Sequence, residues 1–301
     1  MLQSALAPNG PEAAAIAGIS WLLFIGAAVI FVAVMALAAL AVSGRAPRLG
    51  RHGVIVAGGV VFPLVVLSAL LVYTLVRGAS LGAPGEPALR IAVTGHQWWW
   101  EIAYLRADGS VDFVTANELR LPVGQTVELL LRSGDVLHSF WVPALAGKLD
   151  LVPGKENRLR LAAARAGAWR GQCAEYCGGP HAQMAFYVIA AEAEAFEQWR
   201  AGQRLPAASG GDAQGRRLFL ARCASCHTVR GTAAEGRLGP DLTHVASRVS
   251  LAAGILPNDT GTLRDWIASS QHVKPGNLMP SFAELGDAEL QALAAYVGSL
   301  R

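Results

Sequence analysis

The chain has four cysteines, and their spacing says more than their number. Two stand in Cys223-Ala224-Ser225-Cys226-His227, a C-x-x-C-H segment. This spacing lets two thiols form thioethers to the vinyl groups of a heme and sets an imidazole against one face of its iron. A bare C-x-x-C also suits a redox dithiol or half of a zinc site, and the adjacent His favours heme attachment over both. The sixth iron ligand must come from elsewhere. Met279 lies in Lys274-Pro275-Gly276-Asn277-Leu278-Met279-Pro280, a Pro-flanked loop where an ordinary core methionine is poorly placed. His/Met ligation raises the iron potential, which suits an electron carrier. His244 and His272 are rivals for this position, but neither has such a loop.

The other two cysteines form C-x3-C-x3-H-x2-M, made of Cys173, Cys177, His181 and Met184. Zinc sites usually combine pairs two to four apart with a second, distant pair. A thioether is a soft ligand suited to copper. A single blue-copper site uses one Cys, two His and a weak Met, so the second Cys supplies ligands for a second metal. The missing His must lie upstream, and His138 in Asp135-Val136-Leu137-His138-Ser139-Phe140-Trp141 is the candidate. The competing reading is a Cys173–Cys177 disulfide in an oxidising compartment. The full set of five ligand-type residues weighs against it.

These residues need elements to position them. Residues 13–42 and 53–76 contain no charged side chain, and each is long enough to span a hydrocarbon core of about 30 Å. The link 43–52 holds Arg45, Arg48 and Arg51 and no acid, while residues 1–12 hold no Lys or Arg. Positive-inside bias then puts the link in the cytoplasm and both termini outside. The first run lacks a basic n-region and exceeds an h-region in length, so it reads as a retained helix rather than a signal peptide. Pro63 is expected to kink the second. Residues 81–87 form a turn-rich linker. From 89 to 190, short β-like runs alternate with turns such as Asp108-Gly109, Pro122-Val123-Gly124 and Pro153-Gly154, which predicts a sandwich or barrel. A helix over 192–203 and a linker over 205–211 follow. Helical periodicity then predicts helices over 212–222, 262–270 (opened by Thr262 and Asp265) and 287–300 (opened by Gly286). The expected domains are a hairpin over 1–80, a β domain over 81–205 and an all-α domain over 206–301.

Charge agrees with this division. Only 16% of residues are charged and 53% are hydrophobic, against about 25% and about 45–50% in average soluble chains. The net charge of +3 arises within residues 1–77, so no basic stripe remains to track phosphates and a nucleic-acid partner is excluded.

Two resemblances follow. The last ninety or so residues resemble class I cytochromes c, on the C-x-x-C-H segment and on Gly239-Pro240-Asp241-Leu242, which looks like the loop under the His ligand. This implies that the Pro240 carbonyl orients His227. Residues 13–190 resemble subunit II of heme–copper cytochrome c oxidases. The matching segments are Gly95-His96-Gln97-Trp98-Trp99-Trp100, 135–140, Lys148-Leu149-Asp150-Leu151-Val152-Pro153-Gly154 and the Cys/His/Met loop. The whole chain thus resembles the variant of subunit II fused to cytochrome c. The implied architecture is a multidomain membrane protein: a two-helix transmembrane hairpin, a cupredoxin-like β-barrel and an all-α cytochrome c domain.

The resemblance implies a binuclear copper centre, CuA. Cys173 and Cys177 would bridge the coppers, His138 and His181 would each bind one, and Met184 and the Glu175 carbonyl would be weak axial ligands. The Glu175 carboxylate would reach a magnesium site shared with subunit I, near Asp150. Trp98 and Trp100 match the family's aromatic patch over the copper, where electrons arrive, and compete there with a plain strand-core reading. His96 reads as a structural hydrogen-bonding residue. The family often has a Glu about two helical turns before the Pro of the second span; here that point falls near Val56, and His52 is the nearest ionisable group. The implied function is subunit II of a proton-pumping terminal oxidase, passing electrons from its own heme c through CuA to subunit I. Implied partners are subunits I and III, with a soluble cytochrome c or a quinol-oxidising complex as donor. The implied location is a bacterial inner membrane with both metal domains on the outer, periplasmic side. The alternatives are a subunit of a CuA-containing nitric oxide reductase and a membrane-anchored shuttle without an enzyme partner.

Overall fold

The computed structural model describes residues 4–45, 51–81, 86–208 and 211–301, with 79–81 described by backbone alone. Arg48 and parts of both linkers lie outside the described residues. The chain forms two compact units, Glu12–Glu86 and a second made of Met1–Pro11 with Pro87–Arg301.

The first unit is helical. Helix α1 spans Pro11–Val42, and the second apolar stretch runs over α2 (His52–Val56), a π-helical turn (Ala57–Val61) and α3 (Phe62–Leu81). Both stretches are long and apolar enough to cross a membrane. The π turn sits where Pro63 requires it. Proline lacks an N–H, and its ring crowds the carbonyl four residues back. Widening the preceding turn relieves that crowding, and the Phe62 N–H reaches back to the Ala57 carbonyl.

The second unit begins with ten strands in two five-stranded sheets. One sheet has the order β3 (Val111–Ala116), β2 (Trp99–Leu105), β1 (Leu89–His96), β5 (Val127–Ser133), β8 (Asn157–Leu161). The other runs β4 (Glu118–Pro122), β10 (Ala185–Ala191), β9 (Gly167–Cys173), β6 (His138–Trp141), β7 (Leu149–Leu151). The β1–β5 and β4–β10 pairs are parallel, and the others are antiparallel. The inner faces share one core that includes Trp100, Phe140, Phe186, Leu129 and Leu131. Burying each Phe contributes about 1.5–3 kcal/mol. The three turn glycines expected from the sequence, Gly109, Gly124 and Gly154, all have positive φ. Residues through Pro11 join this unit rather than the hairpin: Asn9 donates its N–H to the Ala144 carbonyl and accepts the Ala164 N–H.

Helix α4 (Ala193–Arg204) closes the barrel with Phe196 and Trp199. The helical module follows, with α5 (Ala213–Arg222), α6 (Thr260–Val273) and α7 (Asp287–Val297). Helix α6 starts two residues earlier than the spacing predicts, because Asp259 rather than Thr262 is the cap and accepts the Thr262 N–H at 2.8 Å. Gly286 caps α7 as expected, with the Glu289 carboxylate accepting its N–H at 3.2 Å. Helices α5 and α7 touch backbone to backbone at Gly215, where an added Cβ would lie 2.0 Å from the Ala292 carbonyl oxygen. Gly215→Ala should therefore force the two helices apart and destabilise the module by about 1–3 kcal/mol. Thermal unfolding of the detergent-solubilised chain, read by near-UV circular dichroism, checks this; an unchanged midpoint refutes it.

Candidate metal centres

The copper-type residues come from three places on one sheet. His138 opens β6, Cys173 ends β9, and Cys177, His181 and Met184 lie on the loop leading into β10. Backbone bonds stitch this loop: the Cys173 N–H donates to Met184, Ala174 to Ser139, and Met184 to His181. A 3-10 turn over Gly179–Gln183 turns His181 back toward Cys177.

The donor atoms converge. Cys173 Sγ lies 3.9 Å from His138 Nδ1, 3.8 Å from Cys177 Sγ and 3.2 Å from the Glu175 carbonyl oxygen. Cys177 Sγ lies 3.4 Å from His181 Nδ1 and 3.8 Å from Met184 Sδ. Both thiols are free, and their separation far exceeds the S–S bond of about 2.05 Å, so the disulfide reading fails. His138, Cys173, Cys177 and Met184 are all buried. The hydrogen bond between the thiols pushes the Cys173 pKa down and the Cys177 pKa up. Two soft sulfurs, two imidazoles, a thioether and a carbonyl around one buried point suit copper.

Asp135 is a positioning residue missed from the sequence, although it stands only three residues before His138. Its Oδ1 lies 2.7 Å from His138 Nε2, which leaves Nδ1 for the metal. The Gln97 and Val136 N–H groups, both at 2.6 Å, hold the carboxylate in turn. Burial would raise the Asp135 pKa, but these three hydrogen bonds outweigh it and hold it below the usual carboxylate range. Burial likewise pulls on His138, and its bonds to Cys173 and Asp135 reverse the sign and raise it. Glu175 turns its side chain to the surface, 3.7 Å from Lys148 Nζ.

The aromatic patch differs from expectation. Trp100 is fully buried against Phe140 and Phe186 and belongs to the core. Strand β2 starts only at Trp99, so Trp98 sits in the β1–β2 turn and does not share the face of Trp100. Trp98 Nε1 donates to the Cys177 carbonyl at 2.9 Å, beside Gln97 Nε2 at 2.8 Å. Trp99 stacks on His96, whose Nε2 has no hydrogen-bond partner among the described residues.

In the helical module, Cys223, Cys226, His227 and Met279 line one cavity of about 460 Å³. His227 Nδ1 lies 2.7 Å from the Pro240 carbonyl, which fixes the ring and leaves Nε2 for iron. A Cβ on Gly239 would lie 2.7 Å from that ring, so the position needs glycine. The Met279 loop is held from both sides: its N–H donates to Asn277 Oδ1 at 2.8 Å, and its carbonyl accepts from Ser270 Oγ and Gln271 Nε2. His244 bonds the Leu205 carbonyl instead, and neither His244 nor His272 lines the cavity. Arg248, a second residue the sequence reading missed, does line it. Its guanidinium bonds the Asp241 carbonyl, while its buried Nε has no hydrogen-bond partner among the described residues. Two thiols, an imidazole, a thioether and an apolar cavity with the Arg248 guanidinium at its wall fit a heme.

Residues 105–191 match the family model described as cytochrome c oxidase subunit II, periplasmic domain, and residues 213–301 match that of cytochrome c. The cytochrome c oxidase subunit 2 of Alkalihalophilus pseudofirmus is 37% identical over 80% of this chain and 71% of its own length. The chain belongs to the cytochrome c oxidase subunit 2 family. The corresponding subunit of Bacillus subtilis is 33% identical over 73% of this chain and 64% of its own. The crystal structure of the periplasmic domain of subunit II of Bradyrhizobium japonicum cytochrome oxidase is 30% identical, covering 40% of this chain and 96% of that one with a TM-score of 0.37. As a member with a cytochrome c domain, this subunit 2 binds copper and heme and is a membrane-associated oxidoreductase subunit.

The Asp135–His138 contact generates a direct test. Asp135→Asn should weaken copper binding by the subunit about 10–100-fold. Copper titration of the full chain in detergent measures this, and an unaltered affinity excludes a positioning role for Asp135.

Proposed function

We propose that this subunit 2 relays single electrons from its own heme to a binuclear CuA centre and on to oxidase subunit I, where oxygen is reduced and protons are pumped. One observation carries the reading. Trp98 lines the heme cavity, and its indole N–H is bonded to Cys177, so a single side chain adjoins both sites.

When bound, the heme iron and the copper pair supply one-electron chemistry. The rest follows from the chain's own residues. His138, Cys173, Cys177, His181, Met184 and the Glu175 carbonyl would hold the copper. Cys223 and Cys226 would hold the heme covalently, His227 and Met279 would offer their donors to its iron, and Arg248 would face a heme carboxylate. Burial of His138, Cys173, Cys177 and Met184 excludes water and limits reorganisation as the charge changes. The Glu175 carboxylate, exposed beside Lys148, is available for a magnesium ion at the junction with subunit I.

The arginine-bearing link 43–52 supports a cytoplasmic hairpin loop, with both metal domains on the periplasmic side of a bacterial inner membrane. Subunit III and an upstream cytochrome or quinol-oxidising donor complete the assembly. The relatives named above are oxidase subunits, which disfavours the nitric oxide reductase and free-shuttle readings.

The test is metal analysis with spectroscopy on the detergent-extracted complex. The expected result is one covalent heme c and about two coppers per subunit 2, with heme a in a co-purifying large subunit. The complex should also oxidise a small-molecule reductant without added cytochrome c, because a tether supplies an effective concentration of about millimolar. One copper per chain, or an absolute need for added cytochrome, refutes the reading.

A further inference from the structure

The chain has only three lysines among its 25 basic side chains. Lys148 and Lys155 are exposed, whereas Lys274 is 3% exposed. Lys274 follows the last residue of α6 and opens the loop that carries Met279. Its Nζ donates to the Trp98 carbonyl at 2.6 Å and to the Ala252 carbonyl at 3.4 Å. The first acceptor belongs to the barrel and the second to the helical module. Burial pushes this ammonium down to about 7, and its proximity to the Cys177 sulfur opposes the shift. A buried ammonium held by carbonyls alone is a poor device for stability, since desolvation opposes it. Its position is more informative. Trp98 is bonded through its indole N–H to the copper loop and through its own carbonyl to the heme module.

We propose that Lys274 is the positioning residue for heme-to-copper electron transfer, pinning the Met279 loop to the backbone of Trp98. The proposal rests on the relay reading above. Lys274 touches no reacting atom and acts through Trp98. The step it serves moves one electron: the donor iron is oxidised as the copper pair is reduced, and no bond forms or breaks. Other hydrogen bonds cross the same seam, those of Arg230 to the Val114 and Gln203 carbonyls among them. Ala185 N–H donates to the Ala253 carbonyl at 3.0 Å, Val249 N–H to Glu118 Oε2 at 2.7 Å, and Gln183 Nε2 to the Val273 carbonyl at 3.0 Å. They keep the modules together but do not hold Trp98. Losing Lys274 should therefore loosen the seam at the one point between the two centres. Its charge has a second effect. A cation near Cys177 favours the more electron-rich copper pair, so removing it should lower the copper potential.

The experiment uses the purified oxidase complex with subunit 2 carrying Lys274→Met. Rapid reduction of the heme, followed optically, should show heme-to-copper transfer slowed about tenfold. Metal content and heme spectrum should match the parent, the Ala185 and Val249 amides should stay protected from hydrogen exchange, and the copper potential should fall. Parental transfer kinetics in a metal-replete variant overturn the proposal. In the unmodified complex, acetic anhydride should label Lys155 and spare Lys274. Equal labelling of the two overturns the proposal even if the variant does not assemble. A parent complex with no heme-to-copper transfer defeats the relay reading and this one together. A normal parent with an unaffected variant defeats the positioning role alone.

Discussion

Trp98 is held at both ends, and this double hold joins two separate ligand sets into one unit. Its indole N–H is bonded to the Cys177 carbonyl, and its carbonyl accepts from Lys274. Around it the barrel and the helical module share a seam of backbone and side-chain bonds, and Asn117, Trp98 and Trp99 of the barrel line the heme cavity together with Met279. The cavity wall of one module is therefore partly built by the other. A tethered cytochrome that swung freely would gain only effective concentration. One seated on Trp98 also gains a fixed approach.

The copper-type site shows how burial and hydrogen bonding divide the work. Burial alone would push thiols toward the protonated form and imidazole toward neutrality. The contacts between these groups alter that. The hydrogen bond between Cys173 and Cys177 lowers the pKa of one thiol and raises that of the other, and Asp135 anchors His138 from the side away from the sulfurs. The donor atoms are thus arranged in the folded chain by bonds that do not involve a metal. The same logic appears at His227, where the Pro240 carbonyl occupies one ring nitrogen and leaves the other.

Much of this was legible in the chain. The C-x-x-C-H segment, the Cys/His/Met loop and the charge-free spans are local patterns, and local patterns survive without a structure. Asp135, Arg248 and Lys274 were not read as functional. Each is an ordinary charged residue whose role depends on a distant partner: Asp135 on Gln97, Arg248 on a cavity formed by several loops, and Lys274 on a carbonyl far away in sequence. Trp100 was misplaced for a related reason. Period-two alternation assigns a face only once the strand boundary is known, and β2 begins one residue after Trp98. The start of α6 moved because Asp259 competes better for the cap than Thr262.

By itself, the sequence determined which atoms could bind metals and which segments are apolar enough for a membrane. Ligand chemistry and hydrophobic periodicity are properties of short stretches, and they need no knowledge of what lies across the fold. The tertiary structure alone decided that the barrel and the helical module meet at Trp98, that Trp100 is core and that a lysine is buried between the two sites. Those facts arise from packing, where residues far apart in the chain exclude water from one another and only then acquire their charge states, partners and roles.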